Sequence, residues 1–287
     1  VHWKLCRFNA AGLETRVGLL TDHQSVIDLS AAGVLRMQPL LERADLAESL
    51  ARLTEQHLTE YPLADVRLGT PVESQEVWAA GVTYLRSRQA RMAESEFSAN
   101  AYDRVYEAAR PEIFFKSAPG KVVPSGESVG IRSDASWSVP EPELALVLNS
   151  SARLVGFTIG NDMSSRDIEG ENLLYLPQAK IYSGSCAVGP CIVVGPAETE
   201  ARGWTIHLKI HRDGNTVFAG ETQVSQLKRS FGELIQCLFR CQQFPQGAVL
   251  LTGAGIVPPD AFTLRSGDHI QITIPAIGVL ENAVRVV

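Results

Sequence analysis

The 287-residue chain is 45% hydrophobic and 20% charged, with a formal net charge of −6 at pH 7. That apolar content supports one large core, or one large and one small. No basic run, no apolar span of bilayer length and no signal-peptide pattern appears. Nucleic acid and membrane are therefore not expected partners, and a cytoplasmic location is expected.

Residues 1–72 read as a small N-terminal domain. Three strand-like runs open it, "HWKLCRF", "TRVGLL" and "SVIDLS". A stretch with apolar residues at helical spacing follows, "VLRMQPLLERADLAESLARLTEQ". "TEYPLADVRLGTPVES", with Pro62 and Pro71, reads as a linker. From residue 73 to 287 the pattern changes to short apolar runs separated by Gly and Pro, among them "EVWAAGVTY", "EIFFKS", "ELALVL", "CAVGPCIVV" and "TIHLKIHRDG". Such spacing predicts a β-rich barrel, roll or sandwich rather than alternating β-α-β units. "SSRDIEGENLLYLPQAK" reads as a loop with a short helix, and "VSQLKRSFGELIQCLFRCQQF" as an amphipathic helix. The polar, Ala-rich stretch around residues 85–110 reads as a helical excursion or a lid over a site.

Cys6, Cys186, Cys191, Cys237 and Cys241 are odd in number and form no C-x-x-C pair. They read as buried thiols of a reducing compartment. Cys237 and Cys241 share a predicted helix, but no His stands near to complete a metal site. His207 and His211 fall in a predicted strand as edge or surface residues. No G-x-S-x-G elbow, phosphate loop or dinucleotide fingerprint is present.

The carboxylates carry more information. In "VPEPELALVL", Glu141 and Glu143 stand two apart at the mouth of an apolar run. On a strand such residues share a face, and like charges so close repel. A proton held by one of them, or a cation between them, would remove the penalty; the alternative is that both point to water and the strand starts later. The next strand, "RLVGFTIGND", ends on Asp162. If the two strands are neighbours, Glu141, Glu143 and Asp162 converge as three oxygen ligands without His or Cys. That favours Mg²⁺, with Mn²⁺ or Ca²⁺ as alternatives. The other reading of Asp162 is a turn residue. Lys180, in "LPQAKIY", is either a surface residue or a cation placed to hold a carboxylate or enolate.

The ordered set "GVTY", "PEIFFK", "EPEL", "VGFTIGNDMSSRD", "QAKIYSGSCAVGP" and "LTGAG…SGDHIQITIPAIGVLENAV" resembles the fumarylacetoacetate hydrolase family over roughly residues 75–287. The resemblance implies an α+β fold, with a mixed β-roll catalytic domain behind a small N-terminal α/β domain. It implies a homodimer or higher homo-oligomer. It also implies a divalent metal on Glu141, Glu143 and Asp162, Lys180 beside it, and a small 2-keto or diketo acid as substrate. The paired glutamates would then tolerate each other because a cation lies between them.

The family's C–C bond hydrolases place a His and a Glu after "GxNY" to activate water. In "GVTYLRSRQA" Ser87 and Ala90 hold those places and Thr83 replaces the Asn. A Ser–Ala pair is no general base. The chain resembles instead the branch that dehydrates 2-keto-3-deoxy-D-arabinonate to 2,5-dioxopentanoate through a metal-stabilised enolate. "VPEPEL" and "GNDMSSRDIEGENLLYLPQAK" carry that likeness. It makes Lys180 and Glu112 the candidates for proton transfer; as a base, Lys180 needs its pKa lowered, which a neighbouring cation favours. Arg86, Ser87, Thr252 and Gly253 become candidates for substrate binding. Arg166 and Asp167 read as part of the metal motif or as a structural ion pair. The alternatives are a hydrolase or decarboxylase of a diketo acid, with a water base from elsewhere, and a non-catalytic keto-acid sensor.

Overall fold

The apolar runs become strands because β-branched and aromatic residues suit a pleated, packed surface. The computed structural model describes residues 2–85 and 104–287. Among them, ten strands of one sheet lie in the order Glu60–Pro62, Ser25–Asp28, Arg16–Leu20, Trp3–Ala10, Cys186–Val194, Leu154–Asp162, Pro142–Leu148, Ala248–Leu251, Glu76–Gly81 and Glu112–Ser117. Val66–Gly69 adds an eleventh, paired with Trp3–Ala10. A five-stranded sheet runs Asn215–Gln223, Thr205–Arg212, His269–Ile274, Gly278–Val286 and Val129–Ile131. With short helices at the margins, this is the expected sheet-dominated α+β fold.

The middle of the large sheet is dry. Pro142–Leu148 is buried at every residue, as its unbroken apolar run requires. Leu144, Leu146 and Leu148 pack into the main cluster with Phe157, Ile159 and Phe231. Ala145 lies on the other face, with Val77, Ala79, Cys186 and Val249. Each fully buried Leu or Phe there contributes about 1.5–3 kcal/mol. The face that carries Ala145 also carries Glu143, so the strand delivers a carboxylate at the end of an apolar layer.

Several local expectations are revised. The N-terminal helix is two helices, Gln38–Leu41 and Leu46–Thr54. The break falls where Arg43 and Arg52 both bind the Asp45 carboxylate and Glu42 accepts from Ser150. The predicted linker contains two strands, Glu60–Pro62 and Val66–Gly69. Pro62 is tolerated because its strand is at the sheet's edge. Through Trp3–Ala10, whose Leu5 pairs with Ile192, this N-terminal segment joins the same sheet as the later strands. The helix expected over "VSQLKRSFGELIQCLFRCQQF" is only Phe231–Phe239. A capping box between Ser230 and Glu233 sets its start.

"SSRDIEGENLLYLPQAK" holds more helix than expected. It forms Arg166–Glu171, a 3₁₀ turn Leu173–Tyr175 and Leu176–Lys180. The Asn172 side chain accepts from the Leu174 N–H, and Pro177 sits in the first turn of the last helix. Most of the stretch read as a possible lid lies outside the described residues.

Candidate active site

Glu141 immediately precedes the strand Pro142–Leu148, and Glu143 is its second residue. Glu143 pairs with Gly160 on the antiparallel strand Leu154–Asp162. Directly paired residues share a face, and Asp162, two further on, shares it too. The Asp162 N–H donates to the Glu141 carbonyl at 2.9 Å, which closes the corner. One carboxylate oxygen from each of Glu141, Glu143 and Asp162 lies within 4.8 Å of the others. All three side chains are buried. The reading in which both glutamates point to water is therefore not the one the fold takes.

Two lysines converge on this group. Lys180 ends the helix Leu176–Lys180 and is 2% exposed. Its Nζ donates to Glu141 Oε2 at 2.8 Å, to Asp162 Oδ2 at 3.0 Å and to Ser164 Oγ. Its stem passes the Phe114 ring, with Nζ 5.7 Å from the centroid. Lys116, on Glu112–Ser117, is fully buried. Its ammonium meets Asp162 Oδ1 and donates to the carbonyls of Met163 and Lys180. Lys116 thus ties the Asp162 carboxylate to the backbone that carries Lys180. Arg166 stands 3.8 Å from Glu141 Oε1 and lies over the Trp137 ring. Asp167 accepts from Ser136 instead of pairing with Arg166.

A cavity opens above the group. Gly81, Glu112, Phe114, Glu141, Asp162, Arg166, Glu169, Lys180, Gly253 and Ala254 are among its walls. Glu112 comes from the strand paired with Glu76–Gly81, directly opposite Gly81. A Cβ at Gly81 would collide with the Glu112 carboxylate, so glycine there leaves room for that side chain. Gly253 has φ of 99° and its N–H donates to Glu143 Oε2. A Cβ there would run into Thr83 Oγ1. Thr83 donates to the Thr252 carbonyl at 2.6 Å. Thr252 is not among the cavity's walls; its hydroxyl donates to the Leu144 carbonyl at 2.8 Å and holds the turn. Arg86 and Ser87, the other two substrate-binding candidates, lie outside the described residues, as do Arg88, Ala90 and Arg91.

The fold therefore brings together Glu112, Glu141, Glu143, Asp162, Lys180 and Gly253. Sequence reasoning missed Lys116, Ser164 and Glu169. Lys116 left a trace, a cation at the end of the apolar run "EIFF", where a buried strand would need a partner for it. Glu169 left none, since a Glu in "RDIEGE" reads as a solvated helix face.

The donors fit a hard divalent cation. All three are carboxylates, and 2+ charge suits oxygen ligands of this kind. Burial raises the Glu143 carboxyl well above its ordinary range, and the nearby Asp162 and Glu141 charges push it further. A cation among them would relieve both effects. Cys186, opposite Asp162 in the ladder, does not compete: burial pushes its thiol up to about 12, so it stays neutral. Among the described residues no other group of three His, Cys, Asp or Glu side chains is arranged to hold a metal. No helix among them is long and apolar enough to cross a membrane.

This roll with its buried carboxylates defines a class of enzyme, and the family model for the fumarylacetoacetate (FAA) hydrolase C-terminal domain matches residues 76–285. The chain belongs to the fumarylacetoacetate hydrolase family. It is 42% identical over 261 residues to a probable 2-keto-3-deoxyxylonate dehydratase of Haloferax volcanii, covering 91% of this chain and 90% of that one. It is 41% identical to the 2-dehydro-3-deoxy-D-arabinonate dehydratase of Saccharolobus solfataricus, covering 79% and 78%. Its fold is similar to a solved 2-keto-3-deoxy-D-arabinonate dehydratase complexed with magnesium and 2,5-dioxopentanoate, with a TM-score of 0.80, 34% identity and 99% of each chain covered.

Proposed function

We propose that the chain is a Mg²⁺-dependent dehydratase of a 2-keto-3-deoxy sugar acid, with 2-keto-3-deoxy-D-arabinonate converted to 2,5-dioxopentanoate as the favoured reaction. The observation that carries this reading is the meeting of Glu141, Asp162, Lys180 and Glu112 around one cavity, with the Glu143 carboxylate buried beside the first two. The dehydratase names of the two relatives support the substrate class.

Glu141, Glu143 and Asp162 would hold the cation, which when bound polarises the keto group and acidifies the C3 protons. The chain's own groups do the rest. The Lys180 ammonium, anchored by Glu141, Asp162 and Ser164, meets negative charge that gathers on the keto oxygen as C3 loses its proton. Glu112 takes that proton and returns it to the departing C4 hydroxyl, so that water leaves. Moving one proton from C5 to C3 of the resulting alkene gives an enol, which becomes the C5 aldehyde. Gly253 holds Glu143 through its N–H, and Thr252 and Thr83 hold Gly253 in place. We assign Arg86 and Ser87 to substrate binding on the sequence alone. The family likeness further supports a homodimer or higher homo-oligomer and a domain boundary near residue 72; both are proposals, open to mass photometry and to limited proteolysis.

The test is turnover of 2-keto-3-deoxy-D-arabinonate with Mg²⁺, with and without EDTA. Formation of 2,5-dioxopentanoate that EDTA abolishes is the expected result. Cleavage of acylpyruvates into two fragments, with no dehydration, would favour a diketo-acid hydrolase and sink the reading.

A further inference from the structure

The strand Glu112–Ser117 ends the large sheet and, among the described residues, pairs on one side only, with Glu76–Gly81. It nevertheless builds one wall of the active site. Glu112 and Phe114 stand two apart, share a face and line the cavity. The pairing then slips by one residue. Phe115 lies opposite Trp78 and Ser117 opposite Val77, which leaves Lys116 without a partner in the ladder. A bulge of this kind bends a strand and re-aims a side chain. Here that side chain is an ammonium with no access to solvent. Lys116 Nζ reaches the Asp162 carboxylate, the Met163 carbonyl at 3.0 Å and the Lys180 carbonyl. These acceptors lie on two other elements, the end of Leu154–Asp162 with the residue after it, and the last residue of Leu176–Lys180. The Phe114 ring meets the same helix end, 5.7 Å from Lys180 Nζ.

We propose that Lys116 is a positioning residue. Its ammonium fastens the outer side of the edge strand to the corner that carries Asp162, and so fixes where Glu112 stands relative to Glu141, Asp162 and Lys180. This rests on the reading of Glu112 as the proton carrier. A buried ammonium stripped of its acceptors is costly, so the strand cannot slide or lift without breaking all three contacts together. Proton transfer needs heavy atoms about 2.6–3.2 Å apart. A ladder along one side of a bulged edge strand does not enforce that tolerance, whereas a buried three-way contact on the other side does.

Hydrogen exchange and kinetics of Lys116→Met test this. Exchange of the backbone amides of Glu112–Ser117 is expected to quicken at least about tenfold more than that of Thr205–Arg212 and His269–Ile274 in the other sheet. The kcat is expected to fall about 100-fold, the cost of a misplacement on the order of 1 Å, with KM within about threefold. In a Glu112→Gln background the same substitution should cost less than about threefold, because the group it positions is already gone. Exchange that quickens equally in both sheets shows a lysine that only stabilises, and overturns the proposal. A kcat loss that multiplies in full with that of Glu112→Gln overturns it too. If Lys116→Met does not fold, Lys116→Arg keeps a cation against Asp162 but lengthens its reach, and the same comparison and cycle decide. If the unaltered protein does not dehydrate the sugar acid, the reaction reading falls, and the exchange comparison alone still decides whether Lys116 fastens the strand.

Discussion

The Lys116 ammonium ends against the Asp162 carboxylate in a place where neither side chain reaches solvent, 0% and 2% exposed. Taking two such charges out of water is expensive, and their attraction compensates only while both are present. Replacing Lys116 with Met leaves Asp162 without that ammonium and strips a donor from the Met163 and Lys180 carbonyls. The expected loss is about 1–3 kcal/mol of stability, the cost of leaving buried acceptors short of a donor, because Lys180 still donates to Asp162 at 3.0 Å. Urea unfolding measures it, and a change under about 1 kcal/mol would show the pair to be dispensable.

Lys180 plays a different part. Its ammonium bonds two of the candidate ligands and Ser164, so Lys180→Met removes a charge that competes with a cation for Glu141 Oε2 and Asp162 Oδ2. Turnover is expected to fall on the order of 10²–10⁴-fold, with Mg²⁺ affinity unchanged or tighter. Calorimetry of Mg²⁺ beside steady-state kinetics separates these effects. Loss of Mg²⁺ binding in the variant would contradict the assignment.

Glu143→Gln tests the metal. The amide oxygen can still accept from the Gly253 N–H, but the third carboxylate is gone. A ligand at about a hundredfold above its Kd stabilises a protein by about 2.7 kcal/mol. Mg²⁺ should raise the melting temperature of the unaltered protein, EDTA should reverse this, and the variant should show neither change. Because burial and then its two acidic neighbours raise Glu143, an ionised Glu143 works against the metal-free fold. The variant without metal should be at least as stable as the unaltered protein without metal.

Gly81 and Glu112 face each other across two paired strands. A methyl group at Gly81 would push the flexible end of Glu112 aside. Gly81→Ala should lower kcat at least about tenfold while changing stability by less than about 1 kcal/mol. A normal kcat would argue against Glu112 as the proton carrier.

Far from the site, Asp28 contributes to acid stability. Burial opposes its ionisation, but the Ser30 N–H at 2.8 Å and the Arg16 guanidinium outweigh it and hold the carboxyl below its ordinary 3.8. A lowered acid contributes stability that is present above its unfolded value and disappears as pH falls through the folded one. The stability gap between the unaltered protein and Asp28→Asn should be wide at pH 7 and should shrink below the ordinary aspartate range. A gap independent of pH would mean that Asp28 acts by shape alone.

Much of this site was legible before any fold was known. The spacing of Glu141 and Glu143 put them on one face, and Asp162 stood at the end of the next strand. Strand periodicity is local, so it survives translation from sequence to structure with little loss. Helix lengths were less legible. A capping box at Ser230 and the Asp45 clamp cut two predicted helices short, because a few side-chain hydrogen bonds outweigh weak propensities.

By itself the sequence determined the chemistry on offer: three oxygen donors without His or Cys, a lysine among them, no His–Glu pair after Tyr84, and a core rich enough to bury them. The tertiary structure alone decided which groups meet. It placed Lys116 against Asp162, Gly253 against Glu143 across 110 residues, and Glu169 among the walls of the cavity. The physical reason is that periodicity tells which face a side chain takes but not which strand lies beside it. That neighbour is chosen by packing and ladder hydrogen bonds summed over the whole sheet.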